Sequence, residues 1–229
     1  METALSKYIK IRSSIEAGTV TAIKAQKSIS RVSLYLDESF AFGLAVSVLA
    51  GSPVKVGQRL SAEVLRSLLD ADFKQKARHV AFNYLSFRAR TASELRLRLN
   101  KYSGSAEFVE EIVEEFIKLQ LVDDESYALE FVSSRHRSKG HGPSRLRSDL
   151  MKKGVNREII EAALSSLDST RMDQRAEDLL RTKWRSYGRL ESTEKRRNRS
   201  IAFLLRRGYN YGIARDAYNK VENDSTDQA

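Results

Sequence analysis

The sequence has no cysteine, two prolines, one tryptophan and three histidines in 229 residues, and each shortage closes off a kind of chemistry. Without cysteine there is no disulfide, no thiol nucleophile and no thiolate metal site, a composition that suits a reducing compartment; the cytoplasm is the expected location. The histidines, His79, His136 and His141, are too scattered to build a zinc tetrahedron without thiolates, and no metal or other cofactor is expected. No run of roughly 18 apolar residues occurs, and the start, METALSKYIKIRSSIEAG, lacks the apolar centre of a secretory signal. Neither a membrane span nor export is expected. Carboxylates are scarce where cations crowd: the stretch SSRHRSKGHGPSRLRSDLMKKG, residues 133–154, holds a single acid, Asp149.

What the chain has in excess is positive charge, 40 Lys and Arg against 30 Asp and Glu. The excess is uneven. Residues 171–220 carry 14 basic and 6 acidic side chains, whereas 123–170 carry 8 of each. A concentrated basic surface points to a polyanionic partner, nucleic acid first, because neutralising phosphates releases condensed counterions. A solvated face is the alternative.

Residues 31–43, RVSLYLDESFAFG, alternate Val32, Leu34 and Leu36 with polar neighbours, break at Asp37-Glu38-Ser39 and resume with Phe40 and Phe42, a hairpin pattern. Residues 19–25 can add a strand, and 54–60 read as a short strand or turn before a helix capped by Ser61. Residues 1–17 are expected to be loosely ordered. From about residue 72 to 221 the apolar spacing is helical and repeats itself. At an offset of 51, Ala77 matches Ala128, Leu95 matches Leu146, Arg96 matches Arg147 and Leu99 matches Leu150; at 54, Leu150 matches Leu204 and Gly154 matches Gly208. The first helix of the last copy aligns at 48, so about six residues enter the loop at 188–194. Each copy reads as three helices, with Thr91 and Glu94 as a capping box, Ser105, Asn156 and Asn210 as N-caps, Pro143 in a first turn, and Gly154 and Gly208 as closing residues.

The expected fold is therefore mainly α: tandem three-helix repeats in an elongated curved array, preceded by a small mainly antiparallel β N-terminal module. Residues 1–71 form that module with a linking helix, 72–122, 123–170 and 171–221 the three repeats, and 222–229 an acidic tail expected to be disordered. Gly140-His141-Gly142 becomes the corner between two helices. It is not a phosphate-binding P-loop, which needs a preceding strand and Gly-Lys-Ser/Thr. The acids Glu110, Glu111, Glu114 and Glu115 lie opposite Val109, Ile112, Val113 and Phe116 and read as the solvated face of a helix. Nothing proposes a catalytic site, and the chain is expected not to be an enzyme.

The candidate filament- or DNA-binding residues are the cations on the first and second helices of the repeats: Arg88, Arg90 and Arg96; Arg135, Arg137, Lys139, Arg145, Arg147, Lys152 and Lys153; and Arg181, Arg185, Arg196, Arg197, Arg199, Arg206 and Arg207. Stacked repeats would present them as a stripe. Tyr84, Phe87, Trp184 and Tyr187 could stack on bases, with helix packing as the alternative.

The segments NYLSFRARTASELRLRL (83–99), KLQLVDDESYALEFVSSR (118–135) and KGHGPSRLRSDLMKKGV (139–155) resemble the RecX family, regulators of the RecA recombinase, over about residues 72–221. The sequence departs at Ala89, where proline is common, at His141, where an aromatic is common, and at KYSG, residues 101–104. The resemblance implies a protein that lodges in the groove of a RecA filament on single-stranded DNA; a monomer is expected. There it would interfere with ATP hydrolysis, strand exchange and co-protease activity, or with filament extension. On that reading, reversing Arg145, Arg147, Lys152 and Lys153 to Glu abolishes inhibition and leaves helix content intact. The alternative is an independent DNA-binding protein whose helix-turn-helix-like repeats read duplex DNA.

Overall fold

The computed structural model describes residues 4–52, 54–103, 106–190 and 192–226. They fall into two compact units, one of residues 1–89 and 95–121, the other of 90–94 and 122–229.

In the first unit, helix α1 (Ala4–Ser14) precedes strands β1 (Gly18–Ala25), β2 (Arg31–Leu36) and β3 (Ser39–Ala45), the short α2 (Val46–Ala50) and β4 (Arg59–Leu60). The strands make one antiparallel sheet in the order β3-β2-β1-β4. Asp37 and Glu38 both take positive φ, 46° and 67°, as a two-residue hairpin turn requires for its twist to match the strands. Helix α3 (Ala62–Leu85), capped by Ser61, lays Leu65, Leu68, Leu69 and Phe73 against Val20, Leu34, Phe42 and Leu44. Asp72, 1% exposed, ties helix to sheet: it accepts from Arg31 Nη1 (3.0 Å), from the Ala45 backbone N–H (2.8 Å), and pairs with Lys76 (2.7 Å).

One expectation fails over the described residues: residues 4–17 are not loose, because Tyr8 stacks on Phe73 with centroids 4.2 Å apart and its hydroxyl donates to Asp70 (2.6 Å), which Arg12 also holds (2.9 Å). The boundary read at 71/72 falls inside α3, since no Gly or Pro interrupts 62–85 and the helix serves both the sheet and the first repeat. Helices α4 (Ala92–Ser103) and α5 (Ala106–Lys118) complete that repeat. Ser105, expected as a cap, lies outside the described residues.

The second unit holds α6 (Asp124–Lys139), α7 (Pro143–Lys152), α8 (Arg157–Ser165), α9 (Ser169–Tyr187), α10 (Thr193–Arg206) and α11 (Tyr211–Thr226). The fold is mainly α, with three-helix repeats after a small antiparallel strand module. Leu146, Leu150, Val132 and Ile160 fill one repeat core, and Leu180, Leu204, Tyr218 and Val221 the next. The Thr91–Glu94 capping box forms in both directions (3.2 and 3.1 Å), and Asn156 and Asn210 cap α8 and α11. Of the tail expected at 222–229, residues 222–226 are helical instead: α11 runs to Thr226, and Glu222 and Asp224 stay on it because Arg196 and Arg181 pair with them.

Candidate polyanion interface

The corner between α6 and α7 is shaped by two glycines with different tasks. Gly140 closes α6 in the left-handed region, φ 61°, and a Cβ there would sit 2.5 Å from Leu179 Cδ1. Gly142 meets the α10–α11 corner backbone to backbone. Its N–H donates to Arg207 O (2.7 Å), the Ser144 N–H donates to Gly208 O (3.0 Å), and a Cβ on Gly142 would lie 2.5 Å from Gly208 C. Gly208, φ 91°, returns the approach, its own missing Cβ falling 2.4 Å from Arg145 N. The same unit contains an equivalent junction between the segment Arg90–Glu94 and the α7–α8 corner, where Thr91 Oγ1 donates to Lys153 O (2.7 Å) and Lys153 Nζ to Glu94 Oε1 (3.1 Å).

Around the Gly142–Gly208 contact opens a recess of about 630 Å³, lined by Ser138, Lys139, His141, Arg145, Arg175, Leu179, Phe203, Arg206 and Arg207. Five of these carry fixed positive charge and none is acidic. Backbone carbonyls hold two of the guanidinium groups: Arg207 donates to Lys139 O (2.5 Å) and lies over Phe203 (4.9 Å), and Arg175 donates to Arg137 O (2.8 Å). Carbonyls anchor a cation without neutralising it.

Three buried polar atoms in this region have no hydrogen-bond partner: His141 Nδ1, Arg175 Nε and Tyr209 Oη. Most buried polar atoms are paired, so three in one place are notable. His141 Nδ1 stands 3.7 Å from Asp149 Oδ2, outside hydrogen-bond reach. Burial first, then Arg145, hold the imidazole below its ordinary pKa; Asp149 opposes them, and Lys139 and Arg135 add to the lowering. The Tyr209 phenol is pushed up to about 12 by burial, against Arg175 and Arg207, which pull the other way.

Of the expected binding residues, the structure brings Lys139, Arg145, Arg206 and Arg207 to this recess. Arg137 contributes the carbonyl that holds Arg175, and Arg135 lies over Phe131 (5.4 Å). Five others are engaged within the fold: Arg96 with Glu110 (2.9 Å), Arg147 with Glu161 (2.7 Å), Lys153 with Glu94, Arg181 with Asp224 (2.5 Å), and Arg196 with Glu222 (3.6 Å). Arg88 and Arg90 flank the α3–α4 connection, while Lys152, Arg185, Arg197 and Arg199 are exposed on α7, α9 and α10.

The fourfold charge reversal is therefore not a neutral probe, because Glu at 147 and 153 would face Glu161 and Glu94. Trp184 and Tyr187 pack inside the third repeat, on Tyr218 and Phe203, and Tyr84 lies under Arg98 (5.9 Å); Phe87 is 84% exposed. Sequence reasoning passed over Arg175, which lies about 30 residues from the other cations of the lining, and read His141 as a helix corner or a metal ligand, not as a binding residue. Among the described residues no group of three or more His, Asp or Glu is placed to hold a metal, and no helix is long and apolar enough to cross a membrane.

Comparison with known proteins gives concordant matches. Family models described as the second and third three-helix domains of RecX match residues 123–164 and 172–218. Regulatory protein RecX of Leuconostoc mesenteroides is 29% identical over 209 residues, 91% of this chain and 78% of the relative. That of Mycolicibacterium smegmatis is 37% identical over 146 residues, 62% and 78% of the two chains. A crystal structure of a regulatory protein RecX superposes with a TM-score of 0.73 at 27% identity, covering 90% of this chain and 99% of the other. RecX from Lactobacillus salivarius gives 0.63 at 26% identity, covering 66% and 98%.

Proposed function

Because the chain belongs to the RecX family of regulatory proteins, we propose that it regulates recombination and DNA repair by binding the RecA filament on single-stranded DNA. Bound there, it lowers ATP hydrolysis, strand exchange and co-protease activity. The observation that supports this most is the recess between the second and third repeats, where five Lys and Arg side chains converge with no acid in the lining. Such a surface gains free energy from a polyanion by releasing its counterions, and needs no bond to be made or broken. Regulation by occupancy fits a protein whose polar groups are spent on helix caps and repeat junctions.

Hydrolysis of ATP by RecA on single-stranded DNA, titrated with this protein, is the direct test, alongside binding to the same DNA without RecA. Inhibition well below one protein per RecA subunit is expected. Inhibition only at concentrations that coat the bare DNA would refute filament targeting and favour an independent DNA-binding protein.

A further inference from the structure

The two junctions of the second unit share one plan and differ in charge. Gly142 stands 51 residues after Thr91, and Arg207 54 after Lys153, the offsets at which the repeats align. The bond from Thr91 to Lys153 O in one junction becomes the bond from Gly142 to Arg207 O in the other. At those same offsets the ion pair of Glu94 with Lys153 becomes Arg145 and Arg207, which line one recess. The carboxylate between the two has gone and both cations remain, Arg145 keeping only Asp149 of its own helix, 4.0 Å from its Nε and outside the lining. Asp124, whose Oδ1 accepts from the Ala92 N–H (2.8 Å), also loses its role, since Pro143 stands at the position of Ala92 and has no N–H to give. Like charges drawn together by a backbone contact repel, and the second junction offers no anion of its own in the lining.

We propose that this recess is a seat for one phosphate group of a nucleic-acid single strand, whose oxygens replace the missing carboxylate between Arg145 and Arg207 and accept from Nδ1 of protonated His141. The inference rests on the polyanion reading above and names its chemistry. The donors arrive from four helices, α6, α7, α9 and α10. The two free oxygens of a phosphodiester, set tetrahedrally about phosphorus with its ester oxygens, spread their acceptor directions out of one plane, whereas those of a carboxylate lie within it.

Binding should take up a proton. The charged groups around His141 are Arg135 and Lys139 of α6, Arg145 and Asp149 of α7, Arg175 of α9, Arg206 of α10 and Arg207 just after it. Six are positive and one negative, so an empty recess disfavours imidazolium and a phosphate reverses that. The pKa of His141 is then higher in the bound state. Affinity rises as pH falls through the bound value and levels off below the free one, up to about tenfold for each unit between them.

The probe is fluorescent oligothymidylate, whose phosphodiesters and bases do not titrate between about pH 5 and 8, with anisotropy read on the full chain. Binding about three- to tenfold tighter at pH 5.5 than at 7.5 is expected, with the ratio flattened in His141→Gln. Arg145→Glu restores the carboxylate of the other junction, so it should weaken strand binding more than about tenfold while the thermal midpoint holds or rises. A flat wild-type profile, an unchanged ratio in His141→Gln, or strand affinity retained by Arg145→Glu overturns the seat. So does Arg145→Glu that loses binding only because its midpoint falls. Inorganic triphosphate or polyglutamate displacing the strand at lower charge concentration than unlabelled oligothymidylate would assign the recess to a free phosphate or an acidic peptide instead, overturning the strand. A wild type with this pH signature that leaves RecA hydrolysis untouched supports the seat and refutes the filament reading.

Discussion

Replacing Gly142 with alanine isolates the contact between repeat corners. Gly142 has φ −83° and ψ 169°, which alanine adopts without strain, so the whole effect comes from the methyl group. That methyl would lie 2.5 to 2.6 Å from Gly208 C, Gly208 O and Tyr209 N, all backbone atoms that cannot swing aside. Relief to an ordinary contact needs about 1 Å of opening, which stretches the bonds from Gly142 and Ser144 to Arg207 O and Gly208 O beyond useful length. Two backbone hydrogen bonds at ~1 kcal/mol each and overpacking of ~1–3 kcal/mol outweigh the ~0.4–1 kcal/mol gained from a stiffer unfolded chain. The net loss is about 2–4 kcal/mol. Urea unfolding followed by Trp184, the one tryptophan of the chain, reports on the third repeat because the indole packs 6.0 Å from the Tyr218 ring. Gly57→Ala is the control: φ is 89° but nothing lies within 4 Å of its missing Cβ, so it costs only backbone strain, ~1–2 kcal/mol. A Gly142→Ala midpoint within experimental error of the parent would refute the contact as the determinant of that junction.

Asp72→Asn should cost about 2–4 kcal/mol, since Arg31 and Lys76 lose their shared anion. Burial, the largest influence, raises the Asp72 pKa, but the bonds from Arg31 and Lys76 and the Ala45 N–H together hold it below the ordinary carboxylate value. The stability it confers is complete above about pH 4, the unfolded-state pKa, and drains away as pH falls through the folded one; acid titration of the parent and of Asp72→Asn, followed by circular dichroism, should show the larger loss in the parent. Lys153→Glu should lower stability by ~1–2 kcal/mol, because both Lys153 and Glu94 are about four-fifths buried and two carboxylates would then meet; an unchanged urea midpoint would count against it. If three phosphates of a single strand are engaged, affinity should fall about twentyfold between 50 and 200 mM salt, and a slope near zero in a log–log plot would exclude phosphate contacts.

The hairpin, the repeats and most caps were legible because each rests on local rules: alternation for strands, apolar spacing for helices, and Asn, Ser or Thr at a helix start. What escaped was set by distant partners. Residues 1–17 look weakly amphipathic until Phe73 and Asp70 are brought to Tyr8 and Arg12. The acidic tail reads as a loose end until Arg181 and Arg196 are found beside it. Cations were the hardest to sort, because a free arginine and a paired one are the same letter. Gly142 carried a signal only by its type, since the reason for it, Gly208, lies 66 residues on.

The repeats themselves provide the sorting that composition could not. Arg96 pairs with Glu110 in the first repeat, and Arg147 with Glu161, 51 residues on at both ends, in the second. A pair that recurs in equivalent places serves what the repeats have in common, the attachment of one helix to the next. In the third repeat the position of Arg147 is taken by Ile201, 7% exposed, and the link is made by core packing instead. Arg145 and Arg207 behave in the opposite way. Their counterparts Glu94 and Lys153 bond to each other, whereas in the second junction backbone bonds from Gly142 and Ser144 to Arg207 O and Gly208 O close the contact whatever charges are set around it. Since those bonds use no arginine side chain, the charge of Arg145, 4.0 Å from Asp149 on its own helix, is not needed to close the junction. Removing Arg147 should therefore lower the unfolding midpoint and leave strand binding intact, and removing Arg145 should do the reverse. If both variants lost binding in proportion to stability, the division between structural and binding cations would be wrong.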